Sequence, residues 1–183
     1  GGPESLDAAA ALLAEARFPV ILAGGGVVMA GGQADAVALA EYLGAPVACS
    51  YLHNDAFPAD HELWVGPIGY QGHKTAMNLI SQADVVLALG SRLGPFGTLP
   101  QHGLEYWPED ARIVQVDTDH RALGLVRDVE VAVCGDAGAA SREILDRLKN
   151  LEVTAHASRD TRLAELAAQR EAWESELTGW SSA

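Results

Sequence analysis

Runs of consecutive apolar residues constrain the fold of this chain more than any other feature of its sequence. Residues 19–23 and 85–89 contain no polar side chain, and residues 113–116 contain a single glutamine. Runs of this length without alternating polar residues are typical of strands that are buried on both faces of a parallel sheet. The runs at 46–49 and 129–133 predict two more strands. The sequence therefore favours a sheet in the interior of the molecule, covered on each side.

Segments with the helical spacing of apolar residues separate these predicted strands. They cover residues 5–17, 33–43, 74–82 and 137–149. Strands that alternate with helices predict right-handed βαβ units. We therefore expect an α/β fold, a doubly wound Rossmann-like parallel sheet of about five to six strands with helices on both faces.

The end of the sequence differs from the rest. Residues 150–157 are predicted to be a linker. Beyond them, apolar side chains recur at heptad-like spacing on an otherwise charged helix, namely Leu163, Leu166, Trp173 and Leu177. Such a stripe needs a surface to pack on, which is either this domain or a missing neighbour. We expect one domain at 1–150, and at 151–183 a linker and an amphipathic helix that lead toward a missing C-terminal domain.

Charge and composition exclude several classes of function. The 183 residues include 25 acidic and 12 basic side chains, which gives a formal net charge of −13. A surface of this charge repels nucleic acids and anionic membranes, so neither is an expected partner. The sequence shows no signal peptide, no apolar run of membrane-spanning length and no cysteine pattern typical of zinc sites or secreted disulfide frameworks. A cytoplasmic location is the expectation.

Candidate binding residues follow the predicted strands, because folds of this class bind ligands beyond the carboxyl ends of parallel strands. They are Gly24, Gly25 and Gly26, then Gly90, Ser91 and Arg92, then Asp117 and Asp119, and then Asp136. Glycines let the backbone approach a phosphate, and a guanidinium can bind a phosphate in a bidentate manner. The carboxylates can bind ribose hydroxyls or magnesium.

Each of these groups also has a purely structural interpretation. The glycines can form a tight turn, Arg92 can pair with one of the three acids, and the acids can cap the segments that follow them. The dinucleotide fingerprint is absent, because Met29 stands where its third glycine belongs, and NAD binding is not expected. The sequence contains no metal-ligand spacing, nucleophile elbow, P-loop or zinc-protease motif.

In this order along the chain, the strand-end motifs resemble the central domain of thiamine-diphosphate-dependent enzymes. The resemblance covers residues 3–149 and depends on segments 19–26, 83–92, 116–119 and 134–136. Acetolactate synthases and pyruvate oxidases have similar segments. In flavin-using members this domain binds the ADP part of FAD, and the candidate binding residues named above are the matching positions. The resemblance implies a pocket for the adenine moiety of ADP, CoA or FAD, or a vestigial one.

Two longer segments narrow the resemblance. Residues 51–72 and 94–103, and the tail around Trp173 and Trp180, are similar to the sulfoacetaldehyde acetyltransferase family. This similarity implies an acyltransferase of taurine metabolism in which thiamine diphosphate adds to sulfoacetaldehyde, sulfite leaves, and phosphate takes up the acetyl group as acetyl phosphate. The cofactor would be the electron sink, while the protein supplies orientation and electrostatics.

The catalytic parts of that family are expected to lie outside this chain. The family holds thiamine diphosphate and Mg²⁺ through a Gly-Asp-Gly motif in its last domain, whereas Ala137 follows Gly135 and Asp136 here. The resemblance therefore implies no catalytic residue and no metal site in these 183 residues. We expect the chain to be inactive by itself and to need its N-terminal and C-terminal neighbours.

The irregular segments 51–72 and 94–108 are predicted to contact another domain or subunit near the active site of a homo-oligomer, a dimer or tetramer. Long irregular connections usually carry function, and exposed aromatic residues anchor interfaces. The residues expected there are His53, Asn54, Tyr70, Gln71, Phe96, His102 and Trp107. The alternative is a local lid that packs on its own domain.

Two other functions stay open at this point. One is the flavin-binding central domain of an enzyme similar to acetolactate synthase. The other is a stand-alone nucleotide-binding or regulatory module. A domain containing Gly-Asp-Gly after Ala183 would decide among them.

Overall fold

The strands of this chain form one parallel sheet. The computed structural model describes residues 1–100, 103, 105–151 and 159–181. Its strands are β1 (Pro19–Ala23), β2 (Val47–Cys49), β3 (Trp64–Pro67), β4 (Val85–Leu89), β5 (Arg112–Asp117) and β6 (Val131–Cys134). The strand order is β3-β2-β1-β4-β5-β6, and every neighbouring pair is parallel. This is the order of a doubly wound sheet, so the predicted α/β fold is confirmed.

Helices cover both faces of this sheet, as predicted. Within the described residues they are α1 (Pro3–Glu15), α2 (Gly25–Met29), α3 (Gln33–Leu43), α4 (Lys74–Ile80), α5 (Pro95–Thr98), α6 (Ala137–Asn150) and α7 (Arg159–Ser181). Helices α1, α3 and α6 pack together over one face, and α4 and α7 pack over the other. None of the described helices combines the length and the apolar character that a membrane crossing requires.

The two cores lie on opposite sides of the central strands. Every residue of β1 and β4 is buried, as the continuous apolar runs predict. Alternate side chains enter different cores: Ile21 and Leu87 pack under α1, α3 and α6, whereas Leu22 and Ala88 pack under α4 and α7. Full burial of a large aliphatic side chain contributes about 1.5–3 kcal/mol to folding. These strands therefore fix the sheet and the positions of the loops that follow it.

Strand β3 lies inside a segment that the sequence predicts to be irregular. It pairs with β2, and its register shifts between Val47 and Ala48. Gly66 in this strand has φ +99°, a backbone conformation that side chains disfavour. Pro67 ends the strand and has no N–H to donate. A short strand with a glycine and a proline has no detectable alternation, so the pattern missed it.

One helix begins earlier than predicted, and another was not predicted. Helix α1 begins at Pro3 and not at residue 5, and the Ser5 hydroxyl donates a hydrogen bond to the Gly2 carbonyl. Proline is favoured in the first helical turn because its missing N–H is not needed there. One turn of helix, α5, begins at Pro95 within the second irregular segment for the same reason.

Helix α7 crosses the sheet from its amino edge to its carboxyl edge. Near its start, Arg162 is buried and donates hydrogen bonds to three carbonyls that precede β1 and β2, those of Arg17, Leu43 and Gly44. Near its end, Glu176 accepts a hydrogen bond from Lys74 at the start of α4. The predicted apolar stripe packs on this domain in the first half of the helix, where Leu166 is buried.

Candidate functional site

A cleft of about 840 Å³ lies at the carboxyl edge of the sheet. Gly25, Gly90 and Asp117, which follow or end β1, β4 and β5, form its floor, and the segments 91–98 and 118–126 form part of its walls. Small-molecule sites usually have volumes of about 300–1,000 Å³. The strand order reverses between β1 and β4, and doubly wound folds bind ligands at such a point. The cleft is therefore the candidate binding site.

The structure brings the predicted binding residues to this cleft. Those that line it are Gly25, Gly26, Gly90, Ser91, Arg92, Asp117, Asp119 and Asp136. Gly24 lies beneath them, against the backbone of residues 90 and 91. The strand-end pattern therefore locates one common site, although the individual residues have different tasks in it.

The glycine turn holds two loops together. The Gly24 N–H donates to the Leu89 carbonyl and the Gly26 N–H donates to the Gly90 carbonyl, both at 2.9 Å. A Cβ atom on Gly26 would lie 2.6 Å from the Cα atom of Gly90, and one on Gly24 would overlap the Gly90 carbonyl oxygen. These glycines are needed because two backbones touch. Their N–H groups are already used, which favours the structural interpretation of the turn.

Arg92 is the basic group of the cleft. Its side chain is exposed, and in the described part of the chain it has no hydrogen-bond or ion-pair partner. The structural alternative, pairing with one of the three acids, is therefore not observed in these residues. A guanidinium in this state can bind a phosphate or carboxylate of a ligand in a bidentate manner.

The three acids make local contacts instead. Asp119 pairs with Arg121 at 2.9 Å, and these hydrogen bonds lower the pKa of Asp119 to about 2. Asp117 accepts a hydrogen bond at 2.8 Å from the backbone N–H of Asp119. Asp136 caps α6 by accepting a hydrogen bond at 2.9 Å from the N–H of Ala139. Each of the three acids thus accepts a hydrogen bond from the backbone that follows it, as the structural interpretation predicts.

Gln115 is a cleft-forming residue that the sequence analysis missed. Its side chain is 1% exposed and makes hydrogen bonds to both walls. Its amide nitrogen donates to the carbonyls of Ser91 at 3.1 Å and Ala122 at 3.3 Å, and its amide oxygen accepts from the Gly124 N–H at 2.8 Å. A single polar residue in an apolar strand is the signal that could have identified it, because a buried amide needs partners.

The two irregular segments meet at one side of the cleft. Tyr51 stacks on Phe96 and contacts Tyr70 edge to face, each at a ring distance of 5.8 Å. The Tyr70 N–H donates to the Phe96 carbonyl at 2.8 Å, which joins the segments through their backbones. The side chains of Tyr70 and Phe96 are exposed. An aromatic surface therefore borders the cleft.

Other predicted loop residues surround this surface. The His53 ring lies against Gly25, so that a Cβ atom there would be 2.6 Å from the imidazole Nε2. Asn54 begins a short 3₁₀ turn and is exposed, and Gln71 is exposed with φ +55°. His102 lies outside the described residues.

Trp107 is not part of this surface. It lies at the amino edge of the sheet, beneath the Arg127 guanidinium at 5.2 Å, and borders a separate cavity of about 460 Å³. Its neighbour Tyr106 is buried in the core and donates a hydrogen bond to the Gly97 carbonyl at 3.0 Å. Of the described residues in the second irregular segment, those at 94–98 line the cleft, whereas Trp107 and Pro108 lie at the opposite edge.

The described side chains do not provide a site for the Mg²⁺ that accompanies thiamine diphosphate. Among the described residues, no group of three His, Cys, Asp or Glu side chains is placed to hold a metal ion. The carboxylate of Asp136, in the segment nearest to a Gly-Asp-Gly motif, is used to cap α6. No catalytic step is therefore assigned to this chain.

Known proteins resemble this chain over most of its length. The family model for the central domain of thiamine pyrophosphate enzymes matches residues 6–148. Sulfoacetaldehyde acetyltransferase of Castellaniella defragrans is 61% identical over 181 residues, which are 99% of this chain and 30% of that protein. The enzyme of the same name from Alcaligenes xylosoxydans xylosoxydans is 57% identical over the same shares. The chain therefore spans 30% of the length of these two relatives.

More distant similarities agree with these matches. The acetolactate synthase large subunit of Corynebacterium glutamicum is 35% identical over 156 residues, which are 85% of this chain and 24% of that protein. An X-ray structure from Mycobacterium smegmatis, assigned to the thiamin diphosphate-dependent enzymes, has a TM-score of 0.64 and 30% identity. It aligns with 79% of this chain, which covers 28% of that structure.

Proposed function

This chain belongs to the family of thiamine pyrophosphate enzyme central domains, and from that premise we propose that it is the central domain of a sulfoacetaldehyde acetyltransferase. The whole enzyme would convert sulfoacetaldehyde and phosphate into acetyl phosphate and sulfite. The observation that carries this proposal is the 61% identity over 181 residues, because it includes the cleft, both irregular segments and α7. The share of the relatives that is matched, 30%, supports a chain that is part of a longer protein.

Within that enzyme the chain would have a binding and spacing role. Residues 1–150 would form the central domain, and residues 151–183 would connect it to a C-terminal domain. Thiamine diphosphate, when bound by the neighbouring domains, supplies the carbanion chemistry. The whole enzyme would be a cytoplasmic homo-oligomer that needs Mg²⁺. This chain would hold the neighbouring domains at a fixed distance and present the cleft to them.

We infer that the cleft binds the adenine nucleotide part of ADP, CoA or FAD. Arg92 supports this inference because its charge has no partner among the described residues, and an anionic ligand would provide one. The cleft volume of about 840 Å³ is sufficient for such a group. Binding would involve Arg92 more than the glycine turn, since the turn N–H groups of Gly24 and Gly26 are used within the protein.

The alternative is the flavin-binding central domain of an enzyme similar to acetolactate synthase. The 35% identity to such a subunit over 156 residues favours this alternative less than the higher identities favour the acetyltransferase. Both assignments predict the same sheet and cleft. They differ in the substrate of the whole enzyme and in its need for flavin.

The test uses the whole protein that contains these residues, purified and supplied with thiamine diphosphate and Mg²⁺. With sulfoacetaldehyde and phosphate, we expect release of sulfite and formation of acetyl phosphate in equal amounts. With pyruvate, we expect no acetolactate, and sulfite release should not depend on added flavin. Acetolactate formation without sulfite release would replace the acetyltransferase assignment by the alternative.

The isolated chain of residues 1–183 provides the matching control. We expect it neither to release sulfite nor to bind thiamine diphosphate together with Mg²⁺, because the described residues contain no cluster of His, Cys, Asp or Glu side chains that could hold the metal. Turnover by this chain alone would refute the assignment of catalysis to the neighbouring domains.

A further inference from the structure

Exposed apolar side chains form a continuous surface at one end of the cleft. We propose that this surface, the carboxyl-edge cluster of Tyr51, Leu52, Tyr70 and Phe96, is where the polypeptide that follows residue 183 docks in the whole protein. The proposal depends on the proposed function only in taking the chain as part of a longer protein. It does not depend on the substrate.

The cluster is more apolar than an ordinary exposed loop. Leu52 is 75% exposed, Phe96 is 61% exposed and Tyr70 is 48% exposed. Tyr51 contacts the rings of both Tyr70 and Phe96, so these three rings form one surface, and Leu52 borders the cleft beside Tyr51 and Phe96. Continuous apolar surface of this kind marks an interaction site in proteins.

Backbone strain is concentrated at the same edge. In the described part of the chain, the non-glycine residues with left-handed φ angles are Leu52 at +71°, Gln71 at +55° and Leu93 at +55°. They follow β2, β3 and β4, at the carboxyl edge. This conformation costs a residue with a side chain about 1–2 kcal/mol. The exposed Leu52 side chain gains little from its own domain, so contact with a partner would offset its strain.

Helix α7 brings the end of the chain to this edge. It starts at the amino edge, where Arg162 is held by three carbonyls. About four helical turns later it reaches Lys74, which lies 2.5 Å from Glu176. The Lys74 ammonium also lies over the rings of Trp173 and Trp180, at 5.5 and 5.6 Å. This Lys74 clamp fixes the last turns of α7 beside the start of α4.

Because the Lys74 clamp fixes the end of α7, it also fixes where the polypeptide that follows α7 starts. Lys74 is four residues from Tyr70, so the end of α7 lies on the cluster's side of the carboxyl edge. Leu177 and Trp180, which are 40% and 57% exposed, add apolar surface there. Polypeptide that continues from α7 would emerge next to the cluster.

Photo-crosslinking of the whole protein tests the proposal. The variant Phe96→p-benzoylphenylalanine is prepared in unlabelled and ¹⁵N-labelled form, and the two are mixed under dissociating conditions, reassembled and irradiated. We expect crosslinks from position 96 to peptides that follow residue 183, within one isotope form. The matched variant Leu151→p-benzoylphenylalanine places the probe at an exposed position on the amino edge and should not reach those peptides.

Three crosslinking outcomes would overturn the proposal. Crosslinks between the two isotope forms would identify a second copy as the occupant. Crosslinks to peptides that precede residue 1 would identify the wrong segment, and an absence of crosslinks from position 96 would leave the cluster without an occupant. Enzyme activity is measured separately, so a failure of the sulfoacetaldehyde assay would not produce any of these results.

One further measurement avoids the photo-probe, and another varies the Lys74 clamp. In the unmodified whole protein, the Gly97 N–H, which donates to the Gly94 carbonyl, should exchange with solvent at least about tenfold more slowly than the Ala111 N–H, which donates to the Pro108 carbonyl in a turn of the same length. The variant Lys74→Met should lower the crosslink yield at position 96 by about threefold, and Lys74→Arg should keep it, because arginine retains the cation–π contact. Equal exchange rates, or an equal yield with Lys74→Met, would contradict the proposal.

Discussion

The amino-edge anchor of α7 and the carboxyl-edge cleft each contain an arginine, and the two are in opposite states. Arg162 is buried and donates to three backbone carbonyls, whereas Arg92 is exposed and has no partner among the described residues. Burial lowers the pKa of Arg162, yet an arginine in such a position stays charged. The first arginine stabilises the fold, and the second is available to a ligand.

Buried hydrogen bonds hold the two walls of the cleft in fixed positions. Gln115 joins both walls from below, and the glycine turn holds the loops after β1 and β4 together. The fixed parts of the site are thus buried, while Arg92 and the apolar rim face outward. Binding sites commonly combine a rigid scaffold with exposed loop residues in this way.

The largest expected effect is at the anchor. The substitution Arg162→Met keeps much of the side-chain volume but leaves three carbonyls without their charged donor, and two of these hydrogen bonds are buried. We expect the free energy of unfolding of residues 1–183 to fall by about 3 kcal/mol. Urea denaturation followed by tryptophan fluorescence measures this change.

The variant Arg159→Met is the matched control for that experiment. Arg159 is on the same helix, and its ion pair with Glu62 is long, at 3.9 Å, and partly exposed. Such pairs contribute little to stability, about 1 kcal/mol at most. Equal losses for the two variants would show that the buried hydrogen bonds of Arg162 are not the main contribution.

The next effect concerns ligand binding at the cleft. If the cleft binds ADP, the substitution Arg92→Ala should weaken that binding by roughly 1.5 to 3 kcal/mol, as expected for a charged hydrogen bond. The stability of the free protein should change by less than about 0.5 kcal/mol, since Arg92 is exposed. Calorimetric titration with ADP and urea denaturation give the two values.

Arg127→Ala is the control for ligand binding. Arg127 lies over Trp107 and lines the amino-edge cavity and not the cleft, so its removal should leave ADP binding unchanged. The absence of a thermal shift at millimolar ADP in the unmodified protein would favour a vestigial cleft. A large loss of stability in Arg92→Ala would show that Arg92, like Arg162, stabilises the fold.

These two arginines also show what the sequence can and cannot predict. The sequence identifies the buried strands at 19–23 and 85–89, because a strand that is buried on both faces of a sheet needs apolar side chains at every position. The state of an arginine depends on residues that are distant in sequence. Arg162 reaches carbonyls more than a hundred positions away, and no local pattern indicates them.

The candidate site was predictable in position and less so in detail. Strand ends locate the cleft, because the carboxyl ends of parallel strands meet at one edge. The sequence allows Asp136 either to cap a helix or to bind a ligand. In the structure its carboxylate accepts the Ala139 N–H in the first turn of α6, so it caps the helix. The sequence groups Trp107 with Phe96 because both lie in one irregular segment, but Trp107 borders the amino-edge cavity and Phe96 borders the cleft, so the two rings are separated.

A smaller effect is expected when the connection between the cleft walls is removed. The substitution Gln115→Leu leaves the Ser91 and Ala122 carbonyls and the Gly124 N–H without their partner. We expect a stability loss of about 1.5 kcal/mol, because the apolar side chain fits the surrounding core and offsets part of the lost hydrogen bonding. Native-state hydrogen exchange should show faster opening of residues 118–126, whereas exposed Thr118→Ala should not change it. Unchanged exchange in Gln115→Leu would mean that the walls hold their positions independently.

The smallest effect is a pH dependence at the end of α7. Burial between Trp64 and Trp173 lowers the pKa of His73 below its usual value. The unfolded chain then binds a proton more readily than the folded chain, so this group destabilises the fold as pH falls below about 6.5, until the folded-state pKa is passed. The variant His73→Phe keeps an aromatic ring in this position and cannot titrate, so its unfolding free energy should fall less between pH 7 and about 5 than that of the unmodified chain. The surface variant His120→Asn, measured in the same way, should keep the original slope. If His73→Phe also keeps that slope, protonation of His73 does not change the stability of the fold, and the contacts of Lys74, including that with Glu176, hold the end of the helix independently of pH.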